Sequence, residues 1–126
     1  MAVGAESPVR NDWAAHDIDS NADTKLGQPE RAIDDYDEAI RLDPQLAWAY
    51  HNRGNVYGSM GQYDRAIQDY DEYIALEPYG AMGYFSRAYA YDELGQHQRA
   101  IDDLDEAIRL DPQYEDAYYN RGIAYR

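Results

Sequence analysis

The residues whose spacing is most like that of metal ligands lie between Asp17 and Asp23, where carboxylate and amide side chains alternate with other residues. Alternating oxygen ligands of this kind begin the calcium-binding loop of an EF-hand. That loop also needs a glycine at its sharp turn and a bidentate glutamate at its last ligand position. Ala22 and Gln28 occupy those positions here. The loop would turn poorly and lose its bidentate ligand, so we expect no metal site.

The sequence shows no catalytic constellation. The three histidines, His16, His51 and His97, do not accompany a nucleophile at a useful spacing, and the serines lie in neither a nucleophile elbow nor a phosphate-binding loop. The many neighbouring Asp and Glu residues are better interpreted as a solvated helix face than as acid–base pairs. The sequence thus predicts a protein that is not an enzyme and has no cofactor.

The charge balance disfavours several classes of partner. Of the 126 residues, 25 are acidic and 11 basic, so the formal net charge is −14, and such a surface repels nucleic-acid phosphates. Cysteine is absent, which excludes disulfides and thiolate metal sites. No apolar run approaches the ~20 residues of a membrane span, and Met1 to Ser7 lacks the features of a secretory signal. A cytoplasmic location without membrane partners is therefore expected.

A 34-residue repeat organises the chain. Residues 31–45 read RAIDDYDEAIRLDPQ and residues 99–113 read RAIDDLDEAIRLDPQ, so 14 of 15 positions are identical. The two segments are 99 − 31 = 68 residues apart, twice 34, and residues 65–79 match the first copy at 10 of 15 positions. A second segment, Tyr-x2-Arg-small-x2-Tyr, recurs with the same period from Tyr50, Tyr84 and Tyr118. Each repeat therefore has two segments.

Both segments have the hydrophobic pattern of an amphipathic helix. From Ala32 to Leu42 the apolar residues are three or four positions apart, which places them on one face with acidic residues opposite. A proline follows each second segment, where the helix must end, at Pro44, Pro78 and Pro112. A glycine is expected to end each first helix, at Gly27, Gly61 and Gly95. Most of the 14 tyrosines fall in repeat columns and are expected to pack between helices.

These features resemble the tetratricopeptide repeat family. The resemblance rests on the period, the first-segment pattern, an Ala-x3-Tyr spacing in the second segment and the closing proline, and it covers residues 29–126. It implies an all-α fold, a right-handed superhelical solenoid of antiparallel helix pairs. In the family the first helix of each pair lines a concave groove, and the second helix forms the convex back.

The repeat register divides the chain into five segments. Residues 1–12 form an N-terminal tail, 13–46 a degenerate first repeat whose second helix begins near residue 29, 47–80 the second repeat, 81–114 the third, and 115–126 the first helix of an incomplete fourth. The stretch DIDSNADT in the first repeat is rich in poor helix formers, so its first helix is expected to be irregular. Either the chain is part of a longer array, or its last helix, which lacks a polar cap, packs against another chain.

The resemblance places a set of first-helix side chains in the concave groove, where they would contact a peptide or protein segment. These are Trp48, His51, Asn52, Asn55, Met82, Phe85, Ser86, Tyr89, Tyr119 and Asn120. Aromatic rings offer rigid apolar contact area, and Asn side chains suit an extended peptide backbone. The family's Lys/Asn/Arg clamp for a C-terminal carboxylate keeps its Asn elements but has no cation here, which disfavours such a ligand. The alternatives are an unliganded hydrophilic surface and burial against a neighbouring chain.

An arginine stands where the family usually has leucine, before the small residue of each first helix, at Arg53, Arg87 and Arg121. Each is predicted to form a partly buried, bidentate pair with the aspartate eighteen residues earlier, in the preceding second helix. These aspartates are Asp35, Asp69 and Asp103. A ligand-binding role for the arginines is the alternative.

Two functions are compatible with these features. The first is a non-catalytic protein–protein interaction scaffold that binds a segment in its groove, with a neutral to basic partner favoured by the negative charge. The alternative is a structural module that self-assembles through incomplete terminal helices into a homo-oligomer.

Overall fold

The computed structural model describes residues 28–126, and every regular element in that range is an α-helix. The six helices are α1 (Pro29–Leu42), α2 (Ala47–Ser59), α3 (Tyr63–Leu76), α4 (Ala81–Glu93), α5 (His97–Leu110) and α6 (Glu115–Tyr125). Consecutive helices pack on one another as antiparallel pairs of a right-handed solenoid, which confirms the predicted fold class. The first helices are α2, α4 and α6. The predicted tail and first helix of the first repeat lie outside the described residues, and the division into repeats stays a prediction.

Glycines end α2 and α4, as the sequence predicts. Gly61 and Gly95 have φ angles of 78° and 81°, a left-handed conformation that a side chain disfavours. In each turn the N–H of the following glutamine donates to a carbonyl in the last turn of the helix, at 2.9 Å. This hydrogen bond satisfies a carbonyl at the helix end and directs the chain into the next antiparallel helix. The third predicted position, Gly27, lies before the described range.

Small residues allow the two helices of a pair to approach closely. A Cβ atom on Gly54 of α2 would lie 2.8 Å from Cε1 of Tyr70, which projects from α3. Ala88 holds the equivalent position in α4 and lies in one core cluster with Leu104 of α5. The larger ring thus faces glycine and the smaller side chain faces alanine. The first-helix residue is therefore matched in size to its partner.

Tyrosines have two structural roles. Tyr70 and Tyr73 are buried in α3, and burial raises the pKa of Tyr73 to about 12. The tyrosine that begins each first-helix motif instead donates its hydroxyl to the carbonyl of the preceding proline, which ties the turn to the helix. These pairs are Tyr50 with Pro44 (3.0 Å), Tyr84 with Pro78 (3.4 Å) and Tyr118 with Pro112 (3.1 Å). The expectation of packed tyrosines is wrong for Tyr118 and Tyr125, which are exposed on α6.

Candidate functional site

The arginine of the α2 helix forms ion pairs with aspartates on both sides. Nε and Nη2 of Arg53 donate to the two carboxylate oxygens of Asp69 at 2.9 and 2.7 Å, and Nη1 donates to Asp37 at 2.7 Å. Each partner is sixteen residues away, Asp69 after the arginine and Asp37 before it. The predicted partner, Asp35, is exposed, and no residue in the described range forms an ion pair with it. The bidentate pair thus joins the two helices of one repeat.

The same geometry recurs one period later. Nε and Nη2 of Arg87 donate to Asp103, each at 2.8 Å, and Nη1 donates to Asp71 at 2.8 Å. Arg121 has the equivalent of the second contact, through Nη1 to Asp105 at 2.9 Å. The predicted pairs Arg53–Asp35, Arg87–Asp69 and Arg121–Asp103 are therefore wrong as pairs. Asp69 and Asp103 are nevertheless paired, each with the arginine sixteen residues before it.

One column of paired carboxylates is not among the residues predicted from the sequence. These are Asp37, Asp71 and Asp105, each sixteen residues before an arginine. Their recurrence with the same 34-residue period was the available signal. Each of these aspartates belongs to the preceding second helix, so the guanidinium joins three consecutive helices wherever it has both partners.

The charged form of each buried carboxylate is stabilised by its arginine. Burial raises the pKa of Asp69 and of Asp103, while the hydrogen bonds from Arg53 and Arg87 oppose that shift. The same hydrogen bonds raise the pKa of both arginines, so the guanidinium groups stay charged. Nε, Nη1 and Nη2 of each of these two arginines all donate to aspartates, so the guanidinium group holds neighbouring helices together.

Three predicted groove residues form a buried polar chain. His51 packs against Tyr70 and Tyr73 of α3, and its Nε2 lies 2.9 Å from Oγ of Ser86 in α4. Asn55 accepts a 2.6 Å hydrogen bond from the hydroxyl of Tyr70. The structure therefore places His51, Asn55 and Ser86 in the packing of α2, α3 and α4 and not in an accessible groove, because their face of the helix meets the neighbouring helices.

Phe85 is also buried, with 1% of its surface exposed. Its ring centroid is 4.9 Å from that of Tyr114, and it belongs to the core cluster that contains Leu104. The expected surface platform at this position is thus part of the core. The equivalent residue of α6, Tyr119, is 71% exposed.

Six predicted groove residues are half-buried or exposed, and their role in binding stays a prediction. They are Trp48, Asn52, Met82, Tyr89, Tyr119 and Asn120. A small concavity between α4, α5 and α6 includes two of them. It is lined by Ala88, Tyr89, Asp92, Leu104, Asn120 and Ala124. Apolar side chains thus lie beside a phenol, a carboxylate and an amide.

Residues 28–126 hold no group of three or more His, Asp or Glu side chains placed to bind a metal ion. The calcium-like segment from Asp17 to Asp23 lies outside that range. In the same part of the chain, the helices are all too short or too polar to cross a membrane.

Comparison with protein families gives matches over most of the sequence. A family described as TPR repeat matches residues 21–61, and one described as tetratricopeptide repeat matches residues 51–115 and 85–126. A comparison with curated proteins gives no match.

Several solved structures have the same fold. The crystal structure of MamA is 28% identical, with a TM-score of 0.75 over 84% of this chain and 62% of that one, so this chain spans less than two thirds of it. The second TPR domain of human RPAP3, solved by NMR in complex with the HSP70 peptide SGPTIEEVD, is 25% identical, with a TM-score of 0.77 over 88% of this chain and 92% of that one. The Arabidopsis OM64 TPR domain is 26% identical, with a TM-score of 0.74 and the same coverage.

Proposed function

Because the chain belongs to the tetratricopeptide repeat family, we propose that it is a non-catalytic scaffold that binds a peptide or protein segment along α2, α4 and α6. The observation that carries the proposal is the row of accessible aromatic and amide side chains on these helices. Tyr89 and Tyr119 are exposed, and Asn120 lies beside the concavity between α4 and α6. Exposed rings supply contact area at low entropic cost, and an amide pairs with a peptide N–H and C=O.

The chemistry of this surface favours a neutral or basic segment. The HSP70 peptide bound to the second TPR domain of human RPAP3 ends in EEVD, an acidic tail. In this chain the cations of α2 and α4, Arg53 and Arg87, are held by aspartates, and the net charge is −14. An acidic peptide would meet like charge with no available cation on these two helices, whereas a basic segment would be attracted over distance.

A peptide selected against the groove is expected to lose affinity when its contacts are removed. We would select 15-residue peptides from an unbiased display library and titrate the best binder by calorimetry. Tyr119→Ala and Asn120→Ala are each expected to weaken binding about tenfold, because an aromatic anchor and a peptide hydrogen bond are lost.

The matched control is Tyr79→Ala, which removes a tyrosine that is 84% exposed and lies outside the groove. It is expected to leave affinity unchanged. Selected peptides rich in Asp and Glu, or equal losses in all three variants, would contradict the proposal.

Self-assembly through terminal helices is a second candidate function. It is favoured by the surface of α6, where Tyr118, Tyr119 and Tyr125 are all exposed. Adjacent exposed rings on one helix are typical of a protein-interaction surface.

A further inference from the structure

The concavity between α4, α5 and α6 lies where the preceding helix pair holds a tyrosine ring. Leu104 of α5 lines the concavity, and Tyr70 of α3 occupies the same repeat column one period earlier. Tyr36 belongs to that column too, and its exchange for Leu104 is the only difference between residues 31–45 and residues 99–113. Leucine has no phenol group to fill the space beyond its branched end. The single change between the two segments therefore lies at the concavity.

The ring of Tyr70 fills the equivalent junction of α2, α3 and α4. Tyr70 is 1% exposed, and its hydroxyl donates to Oδ1 of Asn55 in α2 at 2.6 Å. On the other side of this junction, Ser86 and Ala90 of α4 are buried. One period after Asn55, Ser86 and Ala90 come Tyr89, Asn120 and Ala124, which all line the concavity. The concavity thus lies on the side of α6 that faces α4 and α5, in space that a tyrosine takes one period earlier.

Asp92 brings a carboxylate to this space. The equivalent residue of α2 is Gly58, where an added Cβ would lie 4.0 Å from the hydroxyl oxygen of Tyr70. The side chain of Asp92 therefore begins beside the place that a tyrosine hydroxyl takes in the preceding pair. Its Oδ1 accepts a hydrogen bond from Nδ1 of His97 at 2.6 Å, and within residues 28–126 no donor is bonded to Oδ2. Oδ2 is available to a donor that enters the concavity.

Size and polarity select the group that fits. The cavity volume is about 20 Å³, which is room for about one water-sized group. Ala88 and Leu104, each 2% exposed, close the inner side, and the polar lining residues are Tyr89, Asp92 and Asn120. A primary ammonium group is about as large as water, carries three N–H donors and is attracted to a carboxylate. A guanidinium group is a wider planar fork, so it does not fit this volume.

We propose that the concavity binds the ammonium group of a lysine on the segment that lies in the groove. The ammonium group donates to Oδ2 of Asp92 and to the amide oxygen of Asn120, and the last methylene groups of the lysine contact the apolar lining. The site names the side chain that the groove recognises, so it rests on the proposed scaffold function. It also narrows the preference for a basic partner to lysine over arginine.

Lysine analogues in the peptide test the site. Peptides selected against the full chain are acetylated at the N-terminus, so that lysine supplies their only ammonium group. They are expected to share a lysine at one position. Replacing that lysine by norleucine keeps the methylene groups and removes the charge, whereas replacing it by arginine keeps the charge and enlarges the group. Each change should weaken binding about tenfold in calorimetry.

Asp92→Asn provides the second arm of a double-mutant cycle. The change keeps the size of the side chain and removes its charge. It should weaken binding of the lysine peptide about tenfold and leave binding of the norleucine peptide unchanged. Asp102→Asn is the matched control, because it removes the same charge from an exposed residue of α5 outside the concavity. It should leave both affinities nearly unchanged.

Ala124→Leu tests the cavity without changing any charge. The larger side chain is expected to fill the concavity from α6, since Ala124 is one of the lining residues. The lysine and norleucine peptides should then bind equally. A melting temperature close to that of the parent shows that the variant is folded.

The outcomes separate this site from the scaffold function. Failure to select any peptide would overturn both proposals. Peptides that bind without a shared lysine, or that bind equally well with norleucine or arginine in its place, leave the scaffold standing and overturn the lysine site. Equal losses for the lysine and norleucine peptides in Asp92→Asn would also overturn it, because the carboxylate would then not contact the ammonium group.

Discussion

Arg87→Leu is expected to lower the free energy of unfolding by about 3 kcal/mol at pH 7, because it leaves a buried carboxylate unpaired. Asp103 is 7% exposed and receives two of the three hydrogen bonds of Arg87, each at 2.8 Å. Leucine keeps the apolar contacts of the aliphatic part of the arginine side chain, so the loss of stability comes mainly from removing the guanidinium charge. Urea unfolding followed by circular dichroism measures the difference.

The loss should depend on pH with a definite sign. In the variant, burial still raises the pKa of Asp103 while the opposing hydrogen bond of Arg87 is gone. The folded state then holds a proton that the unfolded state, near the ordinary value of 3.8, releases. Stability of the variant therefore falls as pH rises through this window, and the difference from the parent is smallest below pH 3.8.

Arg121→Leu is the matched control for this prediction. It removes one ion pair to an exposed carboxylate, Asp105, and a cation–π contact with the ring of Tyr118, and at a concentration where the chain is monomeric it should cost about 0 to 1 kcal/mol. Equal losses at Arg87 and Arg121, or a loss at Arg87 that does not change with pH, would show that the carboxylate is not the cause.

The arginine pairs show what a repeat sequence can and cannot predict. The columns themselves were readable, because Arg and Asp recur every 34 residues. The partner of each arginine could not be predicted from the period. Asp69, eighteen residues before Arg87, and Asp103, sixteen residues after it, belong to the same column one period apart. Periodicity cannot separate these two. The choice depends on whether the arginine side chain faces the preceding second helix or the following one, which requires three-dimensional packing.

Burial in the groove was unpredictable for a related reason. His51, Phe85 and Tyr119 share one column, yet their exposed fractions are 0%, 1% and 71%. A column fixes the face of the helix, whereas burial also depends on what packs beside that face in each repeat. Turns were predictable, because the left-handed conformation of Gly61 and Gly95 is a local requirement of the chain itself.

The size match between α2 and α3 should appear as energetic coupling. Gly54→Ala is expected to cost about 2 kcal/mol, since the overpacking against Tyr70 exceeds the roughly 1 kcal/mol gained in helix propensity. Tyr70→Leu should cost about 3 kcal/mol, because a buried ring is lost and Asn55 loses a hydrogen bond. The double variant recreates the Ala–Leu combination of residues 88 and 104. It should cost about 1 to 2 kcal/mol less than the sum.

The cycle has an internal control in α6, where Gly122→Ala adds a methyl group to open space. In the monomeric chain this change should be neutral or stabilising by up to about 1 kcal/mol, and it should show no coupling to Tyr70→Leu. Additive losses at Gly54 and Tyr70 would mean that the Cβ clash relaxes without cost. Coupling confined to Gly54 would instead show that the residue at this position of the first helix is matched in size to the side chain that packs on it.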